Sequence, residues 1–221
     1  MKKIYRPDRV KYSRKLPHWQ ITDGVYFVTF RLKGSLPVEV IKRLKYERAI
    51  EENKLILKDL SDHEIDVELK KIRHLYFGKF DQLLDDYKSG PHFLKEPEVA
   101  KVVGDSILYF DEKRYKIICY IIMSNHVHLV FYKLQMDMEK ILGSMKKYSA
   151  RRINQLHNQV GRNVWLAESY DHIIWNRTEL ANWINYTLDN AVKINLVTHW
   201  KQYPYVYLRE GFEEFVNLKA T

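Results

Sequence analysis

Two spacings of apolar residues divide this chain. Val25–Leu32 (VYFVTFRL), entered through Gly24, is dense in β-branched and aromatic residues and predicts a strand. Tyr115–Met123 (YKIICYIIM) and His126–Tyr132 (HVHLVFY) have the same character, with only Ser124 and Asn125 between them. That spacing predicts an antiparallel hairpin at the centre of a sheet. A fourth, shorter strand is expected near Tyr170–Trp175. Between these runs the apolar positions recur at helical spacing. Val38–Lys58 carries Val40, Ile41, Leu44, Ile50, Leu55 and Ile56 amid dense charge, and Ser61 with Glu64 forms a capping-box pattern ahead of a second helix to about Tyr87. Gly90 and Pro91 break the chain, and Pro97 suits the first turn of a helix to about Phe110. Helices over Met138–Leu156 and Glu179–Asn190 complete the pattern.

Strand, helices, two strands, helix, strand, helix is the order of an α+β sandwich. The expected fold is a ferredoxin-like antiparallel sheet with helices on one face, enlarged by a helical insertion after the first strand. The 221 residues are read as a single domain, with 38–112 a mainly helical insertion or crossover and 1–15 a basic leader.

Composition narrows the function classes. At 46% hydrophobic and 14% aromatic, the chain can fill a core. No run reaches the roughly 18 apolar residues of a membrane helix, and no apolar stretch follows the basic start, so a cytoplasmic, nucleoid-associated protein with no membrane partner is expected. Cys119 is the sole cysteine, which excludes an internal disulfide or a cysteine-rich zinc site; any metal must take His, Asp, Glu, Asn or Gln. The formal charge of +9 favours a polyanion, and its position is informative. Met1–Lys15 holds seven Lys or Arg against Asp8 alone, and Lys140–Asn163 holds six with no carboxylate. By contrast, Val38–Lys88 mixes eleven basic with twelve acidic residues, as solvated helix faces do.

His126 and His128 are two apart on a strand, so both imidazoles leave one face and can converge on one metal, while Val127, Leu129 and Phe131 point to the other. A His-x-His alone is weak; it needs further ligands. On the last helix, Leu180, Trp183, Ile184, Thr187 and Leu188 form the buried stripe, with Tyr186 and Asn190 on its flank, about 40° apart. Packed beside the histidine strand, Asn190 could complete a metal site and Tyr186 could reach a phosphate. For any one of sixteen tyrosines, ordinary packing is the competing role.

The segments IICYIIMSNHVHLVF, KYSARRINQ, VWLAESYDHIIWN and WINYTLDNAVKINLV, in that order, resemble the REP-associated tyrosine transposases of the HUH superfamily, relatives of the single-tyrosine insertion-sequence transposases. The likeness runs from Leu16 to Val197. It implies a metal pair at His126 and His128, a nucleophile at Tyr186 and a third ligand at Asn190. Two departures stand out: Ser124 where the family has proline, and Asn190-Ala191-Val192 where it has Asn-Pro-Val. Without that proline the helix can run a turn further, which leaves Asp189 as a substitute ligand to consider. The implied activity is DNA transposition by a metal-dependent single-stranded DNA endonuclease and strand transferase. Acting at hairpins, it proceeds through a 5′-phosphotyrosine. The donor set fits Mg²⁺ or Mn²⁺ without excluding Zn²⁺, and a phenol, which ordinarily titrates near pH 10, needs a cation's help to ionise.

Tyr148, set among Lys146, Lys147, Arg151 and Arg152, is the rival nucleophile, but its i+4 neighbour is Arg152, not a ligand. That helix reads as a surface for DNA phosphates, and Arg6, Arg9, Arg14 and Lys15 are further candidate contacts. Core packing is expected of Trp165. A host-adopted, non-catalytic hairpin-DNA-binding protein is the alternative function, and a histidine-based metallohydrolase a third. The choice between monomer and homodimer stays open.

Overall fold

The computed structural model describes residues 9–13, 17–21, 24–56, 58, 60–86 and 88–217, with backbone alone for 9–13, 17–21 and 56. Residues 34–91 form one unit and the remainder another.

In the larger unit, β1 (Arg9–Ser13), which falls in the segment read as a leader, pairs with β2 (Pro17–Ile21), which follows it, as an antiparallel ribbon. The main sheet begins with β3 (Val25–Arg31). The smaller unit follows, with α1 (Val38–Ile56) and α2 (Asp62–Asp86). They are joined side by side by ion pairs such as Arg73–Glu52 at 3.9 Å, and the Ser61–Glu64 capping box forms as the sequence predicts. At its neck, a Cβ on Gly90 would lie 2.8 Å from the Gly34 carbonyl oxygen, and both residues have positive φ, so glycine is required at each.

The larger unit resumes with α3 (Pro97–Leu108), β4 (Lys116–Ile122), β5 (His126–Tyr132), α4 (Met138–Leu156), β6 (Tyr170–Ile174), α5 (Arg177–Leu188), α6 (Asn190–Lys193) and β7 (Val206–Leu208). The sheet order is β6-β3-β5-β4-β7, every neighbour antiparallel. The α+β antiparallel class is therefore as expected, with β7 an unanticipated fifth strand: three residues behind Pro204 give too short a pattern to read.

Strand alternation sorts the helices. Val28, Phe30, Val127 and Leu129 point into a core with Val103 and Ile107 of α3 and Ile141 and Met145 of α4. The opposite face carries Phe27, Cys119 and the histidines, and α5 covers it, Trp183 stacking on Phe27 at 4.0 Å and Thr187 bonding Cys119. Helices thus lie on both faces rather than one: the apolar stripe of α5 is matched by Phe27, Cys119 and Ile121, which the alternation leaves on the far side from α3 and α4. Among the described residues no helix is long and apolar enough to cross a membrane.

Candidate active site

The hairpin between β4 and β5 turns on Ser124 and Asn125, closed by Met123 N–H donating to His126 O at 2.9 Å. Ser124 Oγ meets His92 Nδ1 at 2.9 Å, so the residue standing where the family has proline is tied to the neighbouring loop by its side chain. The turn delivers His126 to the first position of β5, and one pleat later His128 leaves the same face.

Each ring is held from behind. Asn125 Oδ1 lies 2.7 Å from His126 Nδ1, and Thr29 Oγ1 lies 2.7 Å from His128 Nδ1. An amide oxygen only accepts, so with Asn125 in this orientation His126 would carry its proton on Nδ1 and turn the lone pair of Nε2 towards a metal. Thr29 occupies this position because it pairs with His128 across β3 and β5. The two Nε2 atoms are 3.1 Å apart, and the amide nitrogen of Asn190 is 3.3 Å from His128 Nε2. Asn190 is 1% exposed, and its Oδ1 is buried without a hydrogen-bond partner. Turning the amide over puts that oxygen towards the ring nitrogens.

These residues fit a metal. Neighbouring ligands at right angles, each about 2.1 Å from one ion, stand about 3.0 Å apart, close to the separations seen. Two imidazole nitrogens and, with the amide turned over, the orphaned oxygen of Asn190 form the donor set that a cation completes. Asp189, the substitute considered from the sequence, is exposed. It interrupts the helix with φ −82° and ψ 2°, so α5 ends at Leu188 and Asn190 opens the single turn of α6. The helical path does continue past Asn190 as the alanine suggests, with Ala191 buried against Ile121, Met123 and Tyr203.

Helix α5 starts two residues earlier than the sequence indicates, because the Asn176 side chain caps it by accepting from Glu179 N–H at 2.8 Å. Trp183, Ile184, Thr187 and Leu188 are buried as expected, whereas Leu180 is only partly so. Tyr186, half-buried, packs edge-on against His128 at 5.6 Å, Phe27 at 5.9 Å and Trp183 at 5.4 Å between ring centroids. Phe27 also stacks on His128 at 5.4 Å, so one aromatic residue fixes both the strand imidazole and the helix tyrosine.

Two cations that sequence reasoning missed border this arrangement. Arg31 pairs with His126 across the sheet and is 4% exposed; burial lowers its guanidinium to about 10, which leaves it charged at neutral pH. The Lys193 ammonium lies 5.8 Å from the centroid of the Tyr186 ring. The seven-residue spacing from Tyr186 was a readable signal for Lys193. Arg31 and Thr29 needed the strand register.

The basic candidates are placed elsewhere. Lys147, Arg151 and Arg152 are exposed on α4, on the sheet face away from the histidines, as is Tyr148, 54% exposed. Lys146 instead reaches the carbonyls of Leu166 and Ala167, each at 3.0 Å, and Ser169 Oγ at 2.7 Å, which anchors the loop ahead of β6. Trp165 packs in the core against Phe30 and donates to Ser149 Oγ at 2.9 Å. Arg9 lies on β1, its side chain not described; Arg6, Arg14 and Lys15 lie outside the described residues.

Residues 96–189 match the family model described as "Transposase IS200 like", a span from α3 through α5 that includes both histidines and Tyr186 and stops one residue before Asn190. The resemblance read in the sequence is thereby supported. Among solved structures, the chain is similar to a REP-associated tyrosine transposase bound to a REP hairpin, with a TM-score of 0.50 and 13% identity, over 93% of this chain and 82% of that one. The two share a fold. No curated protein matches the sequence.

Proposed function

We propose, from the match of residues 96–189 to the IS200-like transposase family model, that this protein cleaves and rejoins single-stranded DNA beside a hairpin through a covalent tyrosyl intermediate. The observation that carries the reading is the approach to His128 Nε2 of both His126 Nε2, at 3.1 Å, and the Asn190 amide, at 3.3 Å, beside the Tyr186 ring.

The Tyr186 phenolate attacks the scissile phosphorus in line. The new bond joins its oxygen to the 5′-phosphate while the bond from phosphorus to O3′ breaks, and the departing O3′ takes a proton to become a 3′-hydroxyl. Rejoining reverses the same exchange, so the bond energy is retained and no external energy source is required. His126, His128 and Asn190 would hold a Mg²⁺ or Mn²⁺ ion, which would polarise the phosphate and offset charge on its oxygens. Lys193 favours the phenolate over the phenol, and Arg31 adds positive charge beside His126. Incubating the protein with a labelled library of single-stranded hairpins and Mn²⁺ tests the reading: a protein–DNA band that survives a denaturing gel is expected, and its absence at saturating DNA defeats a covalent mechanism.

Thr29→Val keeps the shape of the side chain but removes the oxygen behind His128. Mn²⁺ affinity measured by titration calorimetry is expected to fall by about 10–100-fold, with an unchanged near-ultraviolet dichroism spectrum; unchanged affinity would mean that Thr29 does not orient the ring. Replacing Lys147, Arg151 and Arg152 together by alanine is expected to weaken hairpin binding and lower the slope of log K against log salt by about two to three, leaving Mn²⁺ affinity intact. An unaltered slope would remove α4 from the DNA path.

A further inference from the structure

The segment that enters α3, residues 92–96, is held on several sides. Leu94 is fully buried within a single 3-10 turn, which Glu96 N–H closes by donating to Phe93 O at 3.1 Å. The Phe93 ring meets His157 edge-on at 5.3 Å and lies 4.6 Å from the Arg162 guanidinium, while Glu96 pairs with His157 at 2.9 Å. His157 caps α4, and Arg162 bonds back to Asn154 of that helix at 3.3 Å. The segment is therefore anchored to a long helix and makes a firm support.

This support grips the turn that delivers His126. Leu94 N–H donates to Ser124 O at 3.1 Å, and His92 Nδ1 meets Ser124 Oγ at 2.9 Å. The other ring nitrogen of His92 is buried without a hydrogen-bond partner, so among the described residues the contact with Ser124 is the ring's one hydrogen bond. From Ser124 the restraint passes along the chain. Asn125 O accepts from Leu32 N–H at 2.9 Å, and Asn125 Oδ1 lies 2.7 Å from His126 Nδ1. Rotating the turn about its Ser124 end would swing Asn125 and, with it, the ring that Asn125 holds.

We propose that His92 is a positioning residue for the metal pair: its bond to Ser124 keeps the β4–β5 turn in the arrangement that aims His126 Nε2 at the ion. This rests on the metal site proposed above. The device is particular to this chain, because the proline that stands at position 124 in the family it resembles has no hydroxyl to offer. Proline would restrain the same turn by locking its own φ at about −65°. Among the described residues Ser124 N–H donates to no backbone oxygen, so proline would remove no such bond there. His92 and Ser124 thus achieve by hydrogen bonding what the ring achieves covalently.

Titration calorimetry with Mn²⁺ on the whole protein tests this. His92→Phe keeps a ring and Ser124→Ala a small side chain, yet each removes the bond, and each is expected to weaken Mn²⁺ binding by about ten-fold. Together they should cost no more than either alone, because both delete the same contact. Ser124→Pro should recover the affinity that Ser124→Ala loses, and adding His92→Phe to Ser124→Pro should change it by no more than about two-fold. A histidine that served only to pack its segment would weaken binding equally in the serine and proline backgrounds, which overturns the proposal. So would additive losses in the double variant, failure of proline to recover the affinity, or undiminished affinity in both single variants. The proline background keeps the comparison decisive even if His92→Phe lowers the thermal unfolding midpoint, since a packing defect persists there and the bond does not. No uptake of Mn²⁺ by the wild type defeats the metal site and His92's role with it; uptake indifferent to both residues leaves the site standing and removes His92 alone.

Discussion

Tyr186→Phe should bind hairpin DNA as tightly as the wild type and form no covalent adduct, with strand cleavage lower by at least about 10³-fold. The substitution removes one oxygen. The ring that packs edge-on against His128, Phe27 and Trp183 stays, so the aromatic cluster joining α5 to the sheet is retained and the unfolding midpoint should hold. That separation of chemistry from packing makes the result decisive: ordinary core packing, the competing role for this tyrosine, predicts no loss of cleavage. Tyr148→Phe is the control. Tyr148 is well exposed among basic residues, but it sits on α4, across the sheet from the histidines. An adduct that persists in Tyr186→Phe and disappears in Tyr148→Phe would move the nucleophile to α4 and detach it from the histidine site. Hairpin binding with no adduct in any form of the protein would leave the host-adopted, non-catalytic reading.

The geometry around Tyr186 is partly legible in the amino-acid sequence. The two-residue spacing of the histidines fixes their common face, and the helical spacing of Tyr186 and Asn190 fixes their common flank. Only packing brings strand and helix together. What is illegible depends on register. Thr29 and Arg31 belong to β3, about a hundred residues before the histidines, and nothing local in VTFR says which of them will stand behind His128. The placement of α5 on the face opposite α3 and α4 is hidden for a related reason. Cys119, Phe27 and Ile121 read as generic strand residues, yet they form the floor on which that helix rests. Lys146 shows the limit of charge patterning: it belongs to the acid-free run that reads as a phosphate surface, but three oxygens of the Leu166–Ser169 segment draw it inward.

Manganese should raise the unfolding midpoint of the wild type and leave that of His128→Gln unmoved, with DNA cleavage lost in the variant. A ligand that binds only the folded state stabilises it by RT ln(1 + [L]/Kd), about 2.7 kcal/mol at a hundred times Kd, and the metal's stabilisation vanishes with its site. Glutamine is the useful replacement because His128 is fully buried. Alanine there would open a cavity and unfold part of the protein for reasons unrelated to metal. Glutamine fills most of the volume and retains a polar group for Thr29 but removes the imidazole nitrogen. The same titration separates the two candidates on the final helix. Asn190→Ala should weaken Mn²⁺ binding by at least about ten-fold, because its buried amide, with an oxygen that has no partner, lies 3.3 Å from His128 Nε2, whereas Asp189→Ala, altering an exposed residue, should not. If the pattern reverses, with Asp189→Ala removing the metal response and Asn190→Ala sparing it, the helix must turn on loading, and the oxygen left without a partner on Asn190 is not a ligand. If His128→Gln keeps the full manganese shift, the histidine pair is structural, and the proposed cleavage loses the charge it requires at the phosphate.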